Sequence, residues 1–166
     1  VEEMMRKCGL VVLHREWGWT GCDSILSRLL SELPNARAIG NDFLHISVKL
    51  GSYLSGVPDV YEVVEQHSKQ CGITPLIYGG AYTGISRVVI TAESGLDTRI
   101  ATWFQQLRRS VAEFNGYAVL ECAPNHWREQ MDVWGTDAPA LTIMRQIKQS
   151  IDPNGILNAG RFAGGI

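Results

Sequence analysis

The run of residues 43–50 constrains the fold more than any other stretch, because its side chains alternate in character. The even-numbered residues are apolar: Leu44, Ile46, Val48 and Leu50. The odd-numbered residues are mainly polar: Phe43, His45, Ser47 and Lys49. Successive side chains of a strand point to opposite faces of a sheet. The alternation therefore predicts a strand in a sheet with one covered face and one polar face, with His45 on the polar one.

Strands and helices are intermixed along the rest of the chain. Hydrophobic periodicity predicts strands at residues 9–15, 36–39, 43–50, 74–78, 87–91 and 117–122, and helices at residues 23–33, 58–70, 96–114 and 139–151. Residues 79–84 are expected to form a flexible connector, and residues 123–135 an irregular stretch. Several links between strands have hairpin length, such as Gly40-Asn41-Asp42. This order predicts an α+β fold of ferredoxin-like type, with an antiparallel or mixed sheet and helices packed on one face.

Composition narrows the class of protein. A chain of 166 residues fits a single domain, residues 1–166, and its net charge of −2 argues against a nucleic-acid partner. No apolar stretch approaches the roughly 18 residues that a membrane span requires. The four cysteines have no C-x-x-C spacing, which indicates reduced structural thiols: Cys8, Cys22, Cys71 and Cys122. Together these features predict a cytoplasmic protein.

The C-terminal run, residues 138–161, combines a helix with an abrupt stop. Pro139 suits the first helical position, where a backbone N–H has no partner. Pro153 and the following Asn154-Gly155 predict a tight turn. Ile156 and Leu157 are then expected to pin the chain back onto a core. An apolar stripe recurs along the helix at spacings of three and four: Leu141, Met144, Ile147 and Ile151.

The most specific pattern in the chain lies at residues 147–161, which read IKQSIDPNGILNAGR. This run resembles the ending of FAD-linked oxidases of the vanillyl-alcohol-oxidase type, in which a helix leads into D-P-x-G-[IL]-[LF]-N-P-G-[RK]. Ala159 stands where that pattern has proline. Val133-Trp134-Gly135 and the closing residues 161–166 look most like the FAD-binding E subunits of bacterial glycolate oxidases.

The resemblance implies a division of labour between domains. In that family a separate N-terminal domain holds most of the FAD, and a C-terminal cap domain closes over the flavin and shapes the substrate site. It implies that this chain is a cap domain for a small 2-hydroxy acid such as glycolate, inactive when isolated. Its implied partners are an upstream FAD-binding domain, absent from these residues, and other oxidase subunits including an iron–sulfur subunit. Asn158, Gly160 and Arg161 are the implied cofactor-binding residues.

Two further candidates come from the catalytic relatives, which place metal ligands in H-x-G-D-G-N-L-H and G-E-H-G. Alignment puts His45 under the last His of the first motif, and Glu121 and Cys122 under Glu-His of the second. The first His is absent, so two of four ligands remain, and no metal site is expected. His45 and Glu121 are instead a candidate catalytic pair for proton transfer or for orienting a carboxylate. The alternative is a half-exposed histidine on a polar strand face.

A second function class also fits the sequence. The chain is then a non-catalytic ferredoxin-like interaction module, in which residues 158–161 are only a turn with a solvated arginine. The two function classes differ in the role of Arg161. Only the cap-domain hypothesis predicts that Arg161 contributes to flavin or substrate affinity. Its planar donor fork suits a carboxylate or a phosphate.

Overall fold

The computed structural model describes residues 43–80 and 82–166. The predicted strands at residues 9–15 and 36–39, the helix at residues 23–33 and the turn at residues 40–42 lie outside the described residues.

The described part of the chain alternates strands with helices. Its strands are β1 Phe43–Gly51, β2 Leu76–Gly80, β3 Ile85–Glu93 and β4 Tyr117–Cys122. Its helices are α1 Val57–Cys71, α2 Asp97–Glu113, α3 Asn125–Gln130 and α4 Ala138–Ile151. The order up to β4 is therefore βαββαβ.

The described strands form a four-stranded sheet in the order β2-β3-β1-β4. Every neighbouring pair is antiparallel. A βαββαβ chain with this strand order has the ferredoxin-like topology, so the predicted α+β fold is confirmed. The central strand β1 sets the register, since Val48 pairs with Val88 of β3 and with Leu120 of β4.

Local sequence explains where the two long helices end. Pro58 lies in the first turn of α1, and Gly72 ends the helix in the left-handed conformation at φ 64°. The N–H of Ile73 then donates to the carbonyl of Ser68 at 2.9 Å, which satisfies one of the last helical carbonyls. Asn115 follows α2 with φ 55°. Both stop signals agree with the sequence prediction.

The core lies between the sheet and the helices α1 and α2. Alternate β1 side chains are buried there, as the alternation predicts: Leu44, Ile46, Val48 and Leu50. The helical stripe predicted for residues 96–114 is also buried: Ile100, Trp103, Phe104, Leu107 and Val111. A buried hydrogen bond from Trp103 Nε1 to Ser68 Oγ, at 3.1 Å, joins the two helices. We call residues 43–122 the sheet body.

Residues 123–135 are more regular than the sequence prediction, which was wrong to treat all of them as irregular. They contain the short helix α3, whose Trp127 is buried in the core. The indole N–H of Trp127 donates to Asp97 Oδ1 at 2.7 Å. Six residues are too few to show helical periodicity in a sequence, and it is this tertiary contact with α2 that holds them.

The C-terminal segment, residues 138–166, is organised differently. None of the α4 side chains is buried. Ile156 and Leu157 are 76% and 59% exposed, so the prediction that they pin the chain onto a core is wrong. The turn is held by polar contacts instead, which removes the need for an apolar anchor at these positions.

Candidate functional site

The sheet face opposite α1 and α2 carries a polar cluster, which we call the polar sheet face. Its centre is an ion pair between Arg87 of β3 and Glu121 of β4. Arg87 Nε donates to Glu121 Oε2 at 2.9 Å, and Nη2 donates to Oε1 at 3.3 Å. The two side chains are 35% and 26% exposed. This fork geometry, with both carboxylate oxygens engaged, is the arrangement that makes arginine a specific carboxylate ligand.

Glu121 stands on this face at a β-bulge. The pairing of β1 with β4 shifts between Ser47 and Val48, so that Ser47 pairs with Cys122 while Val48 pairs with Leu120. Glu121 is thus the extra residue of β4, and a β-bulge leaves such a residue unpaired. Strand alternation already predicts the face of Glu121, whereas its unpaired position opposite β1 is seen only in the register.

Ser47 lies beneath the polar cluster on the central strand. It pairs with Val89 of β3, one step along the same face from Lys49, which pairs with Arg87. Ser47 is fully buried, and its hydroxyl has no hydrogen-bond partner in the structure. The sequence placed it on the solvent-facing side of the strand, where a partner would be water. A buried hydroxyl without a partner is destabilising unless a ligand supplies one.

The predicted pair of His45 and Glu121 shares this face but not a hydrogen bond. His45 Nδ1 lies 3.4 Å from Thr91 Oγ1, its cross-strand neighbour on β3. Glu121 is bonded to Arg87 instead. Their catalytic roles stay predictions, and the geometry adds Arg87 to the set. The sequence signal for Arg87 is its single charge at the start of the apolar run Arg87–Thr91.

Tyr78 and Arg87 are cross-strand neighbours, and their ionisation reflects the polar cluster. Burial raises the pKa of the Tyr78 phenol, and the nearby Glu121 carboxylate raises it further, while Arg87 opposes the shift. The hydrogen bond to Glu121 raises the pKa of Arg87. Both effects keep Tyr78 neutral and Arg87 charged at physiological pH, so the face carries one fixed guanidinium beside a phenol donor.

Asp152 organises the turn after α4. Its carboxylate accepts the backbone N–H groups of Ile156 at 3.0 Å and Leu157 at 2.8 Å, and it pairs with Lys148 Nζ at 2.6 Å. These hydrogen bonds, with that of Lys148 the largest influence, lower the pKa of Asp152 to about 2. The side chain is almost fully buried. The aspartate of the D-P-x-G pattern therefore holds the returning tail by charge and hydrogen bonds, a role that sequence reasoning did not assign to it.

The tail and α4 enclose an open groove of about 510 Å³. Its lining is mostly apolar, with polar groups at the rim: Met144, Ile147, Lys148, Ile151, Asp152, Leu157, Asn158, Arg161, Phe162 and Ile166. Asn158 has the left-handed φ of 48°, which its short amide tolerates. Gly160 also has a positive φ, 75°, with open space where a side chain would begin.

Asn158 and Arg161 are the polar ends of this groove that remain available. Both are exposed, and neither side chain has a hydrogen bond or ion pair with the part of the chain that the structure describes. A guanidinium and an amide placed together fit a phosphate or a carboxylate. Two of the three predicted cofactor residues, Asn158 and Arg161, therefore line one open groove, while Gly160 lies outside its lining. The binding role of all three stays a prediction.

A ring contact joins the C-terminal segment to Trp134, and an arginine holds the stretch that carries Trp134. The rings of Trp134 and Phe162 lie 5.0 Å apart. Arg108 of α2 fixes the stretch before α4, because Nη2 donates to Val133 O at 3.1 Å and Nε to Ala118 O at 3.2 Å. Burial lowers the pKa of Arg108. The resemblance to the family motif at Val133-Trp134-Gly135 thus falls on a structural junction.

His126 and Asp97 form a second polar pair, which the sequence did not predict. His126 Nε2 lies 2.8 Å from Asp97 Oδ2. Because the other oxygen of Asp97 accepts from Trp127, this carboxylate ties α3 to the start of α2. The pair is accounted for by this structural contact.

Comparison with known protein families decides the class. A family model described as "FAD linked oxidases, C-terminal domain" matches residues 46–162, well over half of the chain. The chain belongs to this family. No curated protein matches the sequence significantly. The matched residues include Ser47, Arg87 and Glu121 of the polar sheet face and Arg161 of the tail groove.

Membership of the FAD-linked oxidase family identifies part of an FAD-linked oxidoreductase, and it implies the use of FAD. It confirms the resemblance seen at residues 147–161 at the level of the family. The closer likeness to the E subunit of glycolate oxidase, the iron–sulfur partner and the cytoplasmic location stay predictions. None of the helices among the described residues is long and apolar enough to cross a membrane.

Proposed function

We propose that this member of the FAD-linked oxidase family is the substrate-side cap domain of a flavoprotein subunit acting on a small 2-hydroxy acid such as glycolate, similar to the E subunit of glycolate oxidase. The bound flavin supplies the hydride acceptor. The chain supplies a polar sheet face toward the substrate and a C-terminal surface toward an upstream FAD-binding domain.

One observation carries this proposal. The core residues of the sheet body are buried, yet α4 and the tail leave large apolar side chains of the groove exposed: Ile147, Ile151, Leu157 and Phe162. A contiguous apolar surface rimmed by polar groups is typical of an interface. Arg161 at its rim is the cation that a flavin phosphate or a substrate carboxylate requires. The family match supports the proposal only in that it makes the chain part of an FAD-linked oxidoreductase.

The test is flavin retention by the chain expressed together with its natural upstream sequence. Replacing Ile147 by Ser removes a groove side chain that is 54% exposed in this structure. Ile143→Ser is the matched control, because Ile143 is 58% exposed on the same helix and lies outside the groove lining. Burial of an isoleucine at an interface predicts about a tenfold loss of flavin affinity for Ile147→Ser, and little loss for Ile143→Ser.

Arg161→Ala separates this proposal from an interaction module. A cap domain loses flavin or substrate affinity on this substitution while its unfolding transition is unchanged. If the folded protein that includes its natural upstream sequence shows no flavin absorption spectrum, the proposal is contradicted and the non-catalytic interaction module is favoured. If Ile143→Ser and Ile147→Ser change the flavin affinity equally, the groove is not part of the interface.

A further inference from the structure

We infer that Arg87 is a built-in cation of the polar sheet face, which binds the carboxylate of a small organic anion where the catalytic relatives use a divalent metal. Glu121 is its resting partner, and Ser47 supplies a second donor beneath it. The identity of the anion as a 2-hydroxy acid rests on the proposed function. The binding of a carboxylate by Arg87 does not.

The donor set on this face does not fit a metal ion. Both oxygens of Glu121 are engaged by Arg87, at 2.9 Å and 3.3 Å. Among residues 43–80 and 82–166, no three His, Cys, Asp or Glu side chains are grouped so that they would hold a metal. A bound divalent ion would also lie next to a permanent guanidinium charge, which repels it. The positive charge at this position therefore belongs to the chain itself.

Arg87 retains the capacity to bind a second carboxylate. A guanidinium has five N–H donors, and Glu121 occupies two of them, so three have no partner among the described residues. Ion pairs that are partly exposed to water are weak, which allows an incoming carboxylate to compete with Glu121. Tyr78 is the cross-strand neighbour of Arg87, and its phenol is neutral at physiological pH.

Ser47 gives the second, independent indication of a ligand. Its hydroxyl is fully buried, has no hydrogen-bond partner, and lies on the same face one step along β1 from the row of Arg87. A hydroxyl in this state is a donor whose hydrogen bond has still to be made. In the proposed arrangement, the carboxylate that takes the place of Glu121 on Arg87 supplies the acceptor for this hydroxyl.

The test is an NMR titration of the 166-residue chain with sodium glycolate at constant ionic strength, following the Nε–Hε signal of Arg87. Ethylene glycol, which lacks the carboxylate, is the neutral control. Wild type is expected to shift with glycolate at millimolar concentration and not with ethylene glycol. Arg87→Met should abolish binding, whereas Arg109→Met, an exposed arginine of α2, should leave it unchanged as read from the amide signals of β1 and β3.

Glu121→Gln is the sharper variant, because it predicts a gain. Removing the competing charge should tighten glycolate binding by about fivefold, the upper range for an exposed ion pair. Ser47→Ala should weaken binding by about threefold, since one neutral hydrogen bond is lost. A gain in Glu121→Gln does not arise from misfolding, so the inference remains testable if Arg87→Met unfolds.

Two results would overturn the inference. One is unchanged glycolate affinity in a folded Arg87→Met chain. The other is one equivalent of bound Mn²⁺ or Zn²⁺ in elemental analysis of wild type that disappears in Glu121→Gln. Because no flavin is present in these measurements, their failure leaves the flavin test of the proposed function intact. Conversely, glycolate binding without flavin retention in the extended protein would overturn the proposed function alone.

Discussion

The sheet body and the C-terminal segment use opposite means to hold their shape. In the sheet body, apolar side chains from β1, α1 and α2 are fully buried against one another. In the C-terminal segment Ile143, Ile147 and Ile151 of α4 are exposed, and the carboxylate of Asp152 holds the turn. A region that buries its apolar side chains in its own core is stabilised by that core. A region that leaves large apolar side chains exposed has the kind of surface that is typical of an interface.

The two regions also differ in how their polar groups are arranged. On the sheet body, Arg87 and Glu121 satisfy each other, while Ser47 beneath them has no partner. On the C-terminal segment, Asp152 is fully engaged while Arg161 is left available. In each region, therefore, a polar group without a partner, Ser47 or Arg161, accompanies a carboxylate whose hydrogen bonds are already made. The following predictions test this comparison, from the largest expected effect to the smallest.

Truncation of a core side chain should have the largest effect. Trp103→Ala removes a fully buried ring from the sheet body and should lower the free energy of unfolding by about 3–5 kcal/mol. Ile147→Ala, in the C-terminal segment, should change it by less than about 0.5 kcal/mol. Urea denaturation followed by circular dichroism measures both. A cost at Ile147 close to that at Trp103 would show that α4 is part of the core.

Two buried serines should respond with opposite signs. Ser47→Ala removes a hydroxyl without a partner and should raise the free energy of unfolding by about 1 kcal/mol. Ser68→Ala, the matched control, removes the acceptor of the Trp103 indole N–H and should lower it by about 1 kcal/mol. The same denaturation measurement distinguishes them. Destabilisation by Ser47→Ala would mean that its hydroxyl already makes a stabilising contact.

Loss of the Asp152 charge should loosen the tail without unfolding the sheet body. Asp152→Asn removes the negative charge that Lys148 and two backbone N–H groups share, so hydrogen exchange at the Leu157 amide should speed up severalfold. Asp137→Asn is the control, because asparagine caps a helix as well as aspartate does. An unchanged Leu157 amide would contradict the role given to Asp152.

The pH dependence of the Asp152 contact follows from the direction in which its pKa is shifted. The pKa of Asp152 is lowered to about 2 in the folded chain, below its ordinary value. Its stabilising contribution is therefore present in full above the unfolded pKa, and it is lost as the pH falls through about 2. The turn should remain closed down to pH 4, as read from the Leu157 amide shift in an NMR titration. Release between pH 5 and 7 would exclude the Asp152 carboxylate as the cause.

The elements that follow local rules could be predicted from the sequence. The alternation at Leu44 to Leu50, the helical stripe at Ile100 to Val111 and the stop at Gly72 depend on side-chain period and on positive φ. The C-terminal motif likewise predicts the FAD-linked oxidase family, and residues 46–162 match its model. These features depend on residues that are close together in the sequence, so the sequence alone is enough to predict them.

The contacts of the candidate site could not be predicted in the same way. The sequence suggested that His45 and Glu121 form a pair, whereas in the structure Glu121 binds Arg87 of β3. It also suggested that Ile156 and Leu157 pack onto a core, whereas the buried Asp152 carboxylate makes that packing unnecessary. Register and charge pairing join residues far apart in the chain, so no local pattern encodes them.

By itself the sequence determined the alternating strands, the helix ends and the family, because backbone sterics and hydrophobic period act within a few residues. Only the tertiary structure decided that Arg87 binds Glu121, that Ser47 is buried without a partner and that Ile147 and Ile151 of the α4 stripe are exposed. Each of these depends on which strand lies beside which and on what covers a given face. Those are properties of the assembled sheet.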